Sequence, residues 1–513
     1  MSSHQGQAGL SFSHDAVHIN LDRSPHGQAL PKGQLSGRIE QRVEAFAKAL
    51  FSGQQVNPSE GRAAGHWSLR AAGNRALYPE WIALQANGRD ELELAQTQQD
   101  RMENFVDAVR NGLYRNPEGE PYTHVLHLGI GGSDLGPRLI DQVFTHLKLA
   151  ETQQGLRCRF VANIDYHEVQ SALAALDPTR TLVLIASKSF STRETLHNAG
   201  HIMRWLDNAG PQYKAAALMA ATCKPAKAEQ FGISRERIFE FSETVGGRFS
   251  LWGPVSLSIR LAHGNSAFNA LLNGAALMDR HWLTAPASSN LPTLMALADY
   301  GNLQHGVDAL MLSPYDSRLG LLVPYLQQLW MESLGKGVDL AGQALADSAC
   351  PTLWGDVGTN SQHAFFQMLH QGRNACAVEI LGVIKPSHSD LHSHRLLLSN
   401  ALAQAEAFAS GRLNSSSELA DPAVNFRSCP GGRPVQFMLL DALTPNTLGQ
   451  LLALWEHRTC ALAALQNINP FDQWGVELGK VIAEQIEKNL TPGHNAAENP
   501  VTAHLIDRFL SQP

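Results

Sequence analysis

Apolar residues recur at three- and four-residue steps through Ile39, Val43, Phe46 and Leu50, which predicts a helix burying one stripe. A longer amphipathic helix is predicted over residues 91–113, after an irregular segment rich in Asn, Gly and Pro. From Thr123 the pattern changes to short apolar runs at 124–130, 159–164, 181–186 and 215–220, each followed by a Gly- or Ser-rich turn and a helix-like segment. Runs of this kind read as strands buried on both faces, and their alternation with helices predicts a parallel α/β sheet. The same grammar returns at 309–312, 375–380 and 435–440, so two α/β domains in tandem are expected, with a junction near residues 265–289. No sequence repeat is strong enough to mark a duplication. Residues 474–490 read as a helix, then a turn at 491–493 and a short final helix, whereas residues 1–35 lack clear periodicity and are expected to lie as an arm over the surface.

Composition narrows the class. With 513 residues, 44% hydrophobic and 17% charged, the chain can bury a large core and is not a disordered tail. Its 40 Lys and Arg against 47 Asp and Glu contain no block of five like charges, which argues against nucleic acid as the main partner. No stretch reaches the roughly 20 mostly apolar residues of a membrane-spanning helix, and the first 34 residues lack the apolar core of an export signal. The six cysteines are scattered without a C-x-x-C pair, which suits reduced thiols and a cytoplasmic location.

Six segments carry candidate chemistry. In residues 126–137, the glycines 129, 131 and 132 follow a predicted strand and would let backbone approach a ligand, or simply make a tight turn. A dinucleotide fingerprint would need Gly where Asp134 stands, and no P-loop is present. In residues 186–195 the hydroxyls of Ser187, Ser189, Ser191, Thr192 and Thr195, with Lys188, open a predicted helix. That set fits a phosphate dianion, and it exceeds the single hydroxyl that helix capping by Thr192 or Thr195 would need. The pair Gly246-Gly247 would aim Arg248 into a cleft to stabilise an oxyanion, unless Arg248 merely pairs with Glu243 at the surface. On an apolar helix around residues 324–333, Leu322, Leu326, Leu329 and Trp330 make the buried stripe, and Gln328 and Glu332 share another face. Glu332 is thus either a general base or a solvated helical glutamate. Residues 358–372 carry His363 and His370 at a spacing that puts both on one helical face. In residues 467–480, Asp472 can cap a helix on which Gln473, Glu477 and Lys480 share a face, with Glu477 and Lys480 also readable as a surface ion pair. The cluster His388, His392 and His394 lacks a ligand set with zinc spacing apart from Asp390, so a histidine-bearing loop is the better reading.

Taken together and in order, from about Phe51 to Lys480, these segments resemble the phosphoglucose isomerase family, as do Asn57-Pro58-Ser59-Glu60-Gly61-Arg62, residues 160–165 and residues 396–411. The resemblance implies an α/β fold of two sugar-isomerase (SIS) type α/β/α sandwich domains with parallel sheets, plus helical N- and C-terminal arms. The expected bounds are 1–98 for the arm and helical segment, 99–264 and 265–480 for the two sandwiches, and 481–513 for the tail. It further implies reversible isomerisation of glucose 6-phosphate and fructose 6-phosphate without metal or organic cofactor, by a homodimer whose active sites borrow residues across the interface. Carried over by motif, Ser187, Lys188, Ser189 and Thr192 would hold the phosphate, with Gly132 and Ser133 lining the same pocket. Glu332 would move the proton between C1 and C2 through a cis-enediol, and Arg248 would steady the enediolate. His363, donated by the neighbouring subunit, and Lys480 would handle ring opening, while Gln328 and Gln473 would position sugar hydroxyls. Ser189 and Ser191 stand where threonines are common in the family, and Leu334 where many relatives carry Asn. The rivals are a non-catalytic phosphosugar-binding regulator, an isomerase of mannose- or aminosugar-phosphates, and a dinucleotide-dependent dehydrogenase, which lacks its fingerprint.

Overall fold

In the computed structural model, which describes residues 11–23, 37–147, 155–412, 426–490, 497 and 499–511, the chain divides into a unit of residues 1–470 and one of residues 471–513. Where an arm was expected, β1 (Ser11–His14) and β2 (Val17–Arg23) form an antiparallel hairpin. Val17, Ile19 and Leu21 alternate along β2 and are buried, with His18 and Asn20 between them, so one face of the hairpin belongs to a core. A small ladder of β3 (Gln85–Ala86) and β4 (Arg89–Asp90) follows, turning on Asn87 and Gly88, both at positive φ. Asp90 then caps the helix Glu91–Arg110 by accepting from the amides of Leu92 and Glu93.

The apolar runs form the first sheet: β5 (His124–Leu128), β6 (Arg157–Val161), β7 (Thr181–Ala186), β8 (Leu218–Thr222) and β9 (Ile238–Glu240), all parallel in the order β6-β5-β7-β8-β9. Every residue of β7 is buried, as expected of a central strand covered on both faces. The second sheet contains β10 (Ala309–Pro314), β11 (Thr352–Gly355), β12 (Ala377–Lys385) and β13 (Val435–Ala442). Its parallel part runs β11-β10-β12-β13, the same succession as β6-β5-β7-β8, so the topology repeats although the sequence does not. The next position, held by a parallel strand in the first sheet, is taken here by β2, antiparallel to β13.

The helices Asn265–Thr284, Leu291–Gln304 and Pro445–Gln466 are largely buried. The last brings Glu456, His457 and Arg458 into the interior, where Arg458 donates to Asp299 at 2.6 and 2.7 Å and to Glu379 at 2.6 Å. The smaller unit carries the helices Glu477–Asn489 and Pro500–Leu510, the second capped by Asn499. The expected turn at 491–493 lies outside the described residues. Among the described residues, no helix is long and apolar enough to cross a membrane.

Candidate active site

Ligands of open parallel sheets bind beyond the carboxyl ends of the strands, where the strand order reverses. In the first sheet that point lies between β5 and β7, whose residues Leu128 and Ile185 are register partners. The two loops leaving there are the glycine segment and the hydroxyl-rich segment.

After β5, Gly131 takes a positive φ of 59° and the chain closes a short turn over Gly131–Ser133. Gly132 lies against the backbone of the third motif, so that a Cβ there would sit 2.1 Å from the Gly247 carbonyl oxygen. Only glycine permits that approach. A Cβ on Gly131 would lie 3.0 Å from Gln328 Nε2, which brings the fourth motif to the same turn. Behind the turn, His127 Nε2 donates to the Ser133 carbonyl (2.6 Å), and its Nδ1 accepts from Ser258 Oγ (2.8 Å). Burial pushes His127 down to about 4, so the ring is neutral at pH 7 and its tautomer is set by these two partners.

After β7, Ser187 is buried with its Oγ 3.1 Å from Thr192 Oγ1, and Ser191 Oγ donates to Ser189 Oγ at 2.8 Å. Phe190, at a positive φ of 46°, turns the loop and plants its ring in the core of the first sheet. Thr192 occupies the N-cap position of the 17-residue helix Arg193–Ala209 but makes no side-chain cap bond. Its hydroxyl faces Ser187 instead, which leaves the positive end of the helix dipole uncapped by that side chain. Lys188 Nζ donates to the Glu243 and Val245 carbonyls, both at 2.7 Å. Burial, helped by the nearby Arg62 guanidinium, pushes this ammonium down to about 8. It ties the hydroxyl loop to the turn that leads into Arg248.

Arg248 is 3% exposed and does not pair with Glu243, whose carboxylate engages Lys224. Its Nε donates to Ser333 Oγ (2.7 Å), its Nη2 to the Pro470 carbonyl, and its Nη1 to Glu332 Oε2 (3.2 Å). Ser250 Oγ closes the Gly247 turn by donating to the Gly247 carbonyl at 2.7 Å. Glu332 and Gln328 are partly exposed on the helix Leu322–Leu334, whose Leu322, Leu326, Leu329 and Trp330 are fully buried. The Glu332 side chain keeps 21% exposure, so the carboxylate stays within reach of a ligand.

Gly132, Ser133, Ser187, Lys188, Ser189, Thr192, Arg248, Gln328 and Glu332 thus all lie on these linked loops and the helix beside them. Arg62 and Asn57, to which the sequence assigns no role, brace the same region. Arg62 Nη1 donates to the Glu243 carbonyl (2.9 Å), and Asn57 Oδ1 accepts from Asn469 Nδ2 (2.9 Å), next to Pro470. The two histidines of the fifth motif do not share a helical face. Phe365, at φ −138°, separates the helices Asn360–Ala364 and Phe366–Gln371. His363 is exposed, whereas His370 bonds Gln404 (2.9 Å) and stacks on Phe408. Gln473 and Lys480 belong to the smaller unit, where Lys480 Nζ pairs with Glu477 at 2.7 Å. Near His392, Asp390 caps the helix Leu391–Ser410, and His394 Nε2 donates to the Ile384 carbonyl (2.9 Å). Among the described residues no three of His, Cys, Asp and Glu gather as a metal would require.

Comparison with known proteins shows the family. A family model described as phosphoglucose isomerase matches residues 34–506. A glucose-6-phosphate isomerase of Caulobacter vibrioides is 41% identical over 98% of this chain and 93% of its own length. One from Burkholderia mallei is 41% identical over 88% of this chain and 82% of its own. The crystal structure of a glucose-6-phosphate isomerase from Chlamydia trachomatis superposes with a TM-score of 0.82 at 28% identity, covering 98% of this chain and 92% of that one. Hydroxyl loop, glycine turns, buried arginine and neighbouring glutamate therefore occur in a chain that matches one family along almost its whole length, and the protein belongs to the phosphoglucose isomerase family.

Proposed function

We propose that the site beyond the carboxyl ends of β5 and β7 isomerises glucose 6-phosphate and fructose 6-phosphate, with Glu332 carrying the proton between C1 and C2. The observation that carries the reading is the contact of Glu332 Oε2 with Arg248 Nη1 at 3.2 Å. A base that removes a proton beside a carbonyl creates negative charge on the adjacent oxygen, and a buried guanidinium next to that base is placed to stabilise it. One carboxylate serves both carbons, taking the proton from one and returning it to the other through the enediol. The hydroxyls of Ser187, Ser189 and Thr192, the helix terminus behind them and the turn at Gly132 and Ser133 hold the phosphate. Gln328, one turn before Glu332, orients a sugar hydroxyl. By family resemblance, ring opening falls to His363 and Lys480, and Gln473 also positions hydroxyls. The exposure of His363 on its own chain accords with its donation to a neighbouring subunit in a homodimer. Six free thiols accord with a cytoplasmic enzyme.

The test is conversion of fructose 6-phosphate in deuterated water with EDTA, coupled to a dehydrogenase. Proton transfer through an enediol places solvent deuterium at C2 of the aldose, whereas a direct hydride shift places none. Binding of fructose 6-phosphate without turnover would instead favour the phosphosugar-binding regulator.

Lys188 gives a pH prediction. Two of its three N–H donors are taken by carbonyls, which leaves one for the phosphate. Because its folded pKa is lowered to about 8, the cation is present below that pH and lost above it. We expect kcat/KM, which reports the free enzyme, to fall about tenfold as pH rises through that value. Lys188→Met should start low and show no such step.

A further inference from the structure

We propose that Ser333 is a positioning residue for the same reaction, its hydroxyl holding Arg248 so that one edge of the guanidinium faces Glu332 and the reacting oxygens. The inference rests on the roles given above to Arg248 and Glu332. An arginine side chain carries much rotamer freedom, and its five N–H donors lie in one plane. Fixing that plane takes at least two points. Ser333 Oγ supplies one at Nε, 2.7 Å away, and the Pro470 carbonyl supplies the other at Nη2. The remaining edge, Nη1, is then presented to Glu332 Oε2.

Ser333 is fully buried on a helix whose other interior residues are aliphatic or aromatic, so its hydroxyl adds nothing to the hydrophobic core. It directly follows Glu332 in the sequence. The base and the anchor of the charge stabiliser therefore ride on one rigid turn, and their separation is set by a single helical step. Without the hydroxyl, Nε loses its acceptor and the guanidinium can turn about its Pro470 contact to meet Glu332 at two points, a stronger ion pair that must be broken before the base takes the substrate proton. The loss should therefore appear in kcat and its acid limb and not in phosphate binding.

The experiment is a double-mutant cycle on the whole enzyme, read by the coupled fructose 6-phosphate assay across pH. Ser333→Ala is expected to lower kcat about tenfold, with KM unchanged within about twofold and the acid limb of kcat moved to lower pH. Ser333→Cys, which fills the same space with a weak acceptor, should fold normally and lose nearly as much. In an Arg248→Lys background, which has no Nε donor, Ser333→Ala should have less than about a twofold effect. An equal loss in both backgrounds would make Ser333 a structural residue and overturn the proposal, as would an unchanged kcat and pH profile in Ser333→Ala and Ser333→Cys. Unchanged kcat in Arg248→Lys alone would remove the role of Arg248 itself, and the proposal with it.

Discussion

Glu332→Gln is expected to lower kcat for fructose 6-phosphate by roughly 10²- to 10⁴-fold, the usual contribution of a positioned general base. The substitution isolates basicity from shape. Gln matches Glu in volume, so the packing of Leu322, Leu326, Leu329 and Trp330 on the same helix is undisturbed. Its amide oxygen still accepts from Arg248 Nη1, so the guanidinium keeps a partner. What disappears is the capacity to take a proton. KM should stay within a few fold, and saturating substrate should still raise the unfolding midpoint, since ligand at a hundred times Kd stabilises the native state by about 2.7 kcal/mol. Glu332→Asp keeps the base but withdraws it by one methylene, and a displacement of about 1 Å already costs on the order of 10² in rate. Activity of Glu332→Gln within tenfold of the wild type would place the base elsewhere.

The strands β5, β7 and β8 of the first sheet were legible because each is a short run buried on both faces, and the loops after β5 and β7 because glycines and hydroxyls follow those runs directly, whereas β6, with Arg157 and Arg159 exposed, starts two residues before the expected run. The misses have physical causes. The alternation Val17, Ile19, Leu21 is a period-two signal that a search for fully apolar runs passes over. β9 and β11 are three and four residues long and owe their conformation to pairing with β8 and β10. The expected strand at 215–220 begins later, at Leu218, because its opening alanines finish the helix Pro211–Ala217, in keeping with the helical preference of alanine. At the site, the sequence supplied Arg248, Glu332 and the hydroxyl loop as residue types in motifs. It could not show that Lys188 reaches the Glu243 and Val245 carbonyls, or that Ser333 reaches Arg248, since both contacts join segments far apart in the chain. The pairing of His363 with His370 failed for a local reason, a break at Phe365 that neither Gly nor Pro announces.

Arg70→Met is expected to destabilise the protein by about 3–5 kcal/mol, the cost of leaving buried carboxylates without their cation. Arg70 is fully buried, donates from Nε to Asp279 (2.8 Å) and from Nη1 to Glu456, and forms an ion pair with Asp279 in which Nη2 lies 2.8 Å from Oδ1. Asp279 also accepts from Tyr78 Oη and from His457 Nε2 (2.6 Å), and Glu456 Oε1 accepts from Trp252 Nε1 (2.8 Å). Burial pushes Glu456 up to about 7, against the opposing pull of Arg70. With an unfolded value of about 4.3, Glu456 binds more protons folded than unfolded between those two pH values, so its contribution to stability is present at low pH and lost as pH rises toward 7. Removing Arg70 takes away the pull that keeps the carboxylate ionised, which extends that loss to higher pH. The shift of the urea midpoint caused by Arg70→Met should therefore be larger at pH 8 than at pH 5, where Glu456 can take up a proton. Adding Glu456→Gln should recover part of the loss at pH 8 and little at pH 5. A shift worth less than about 1 kcal/mol at both pH values would mean that Asp279 and Glu456 do not depend on Arg70. Trp252 lies four residues after Arg248, so the same cluster backs the turn that carries Arg248.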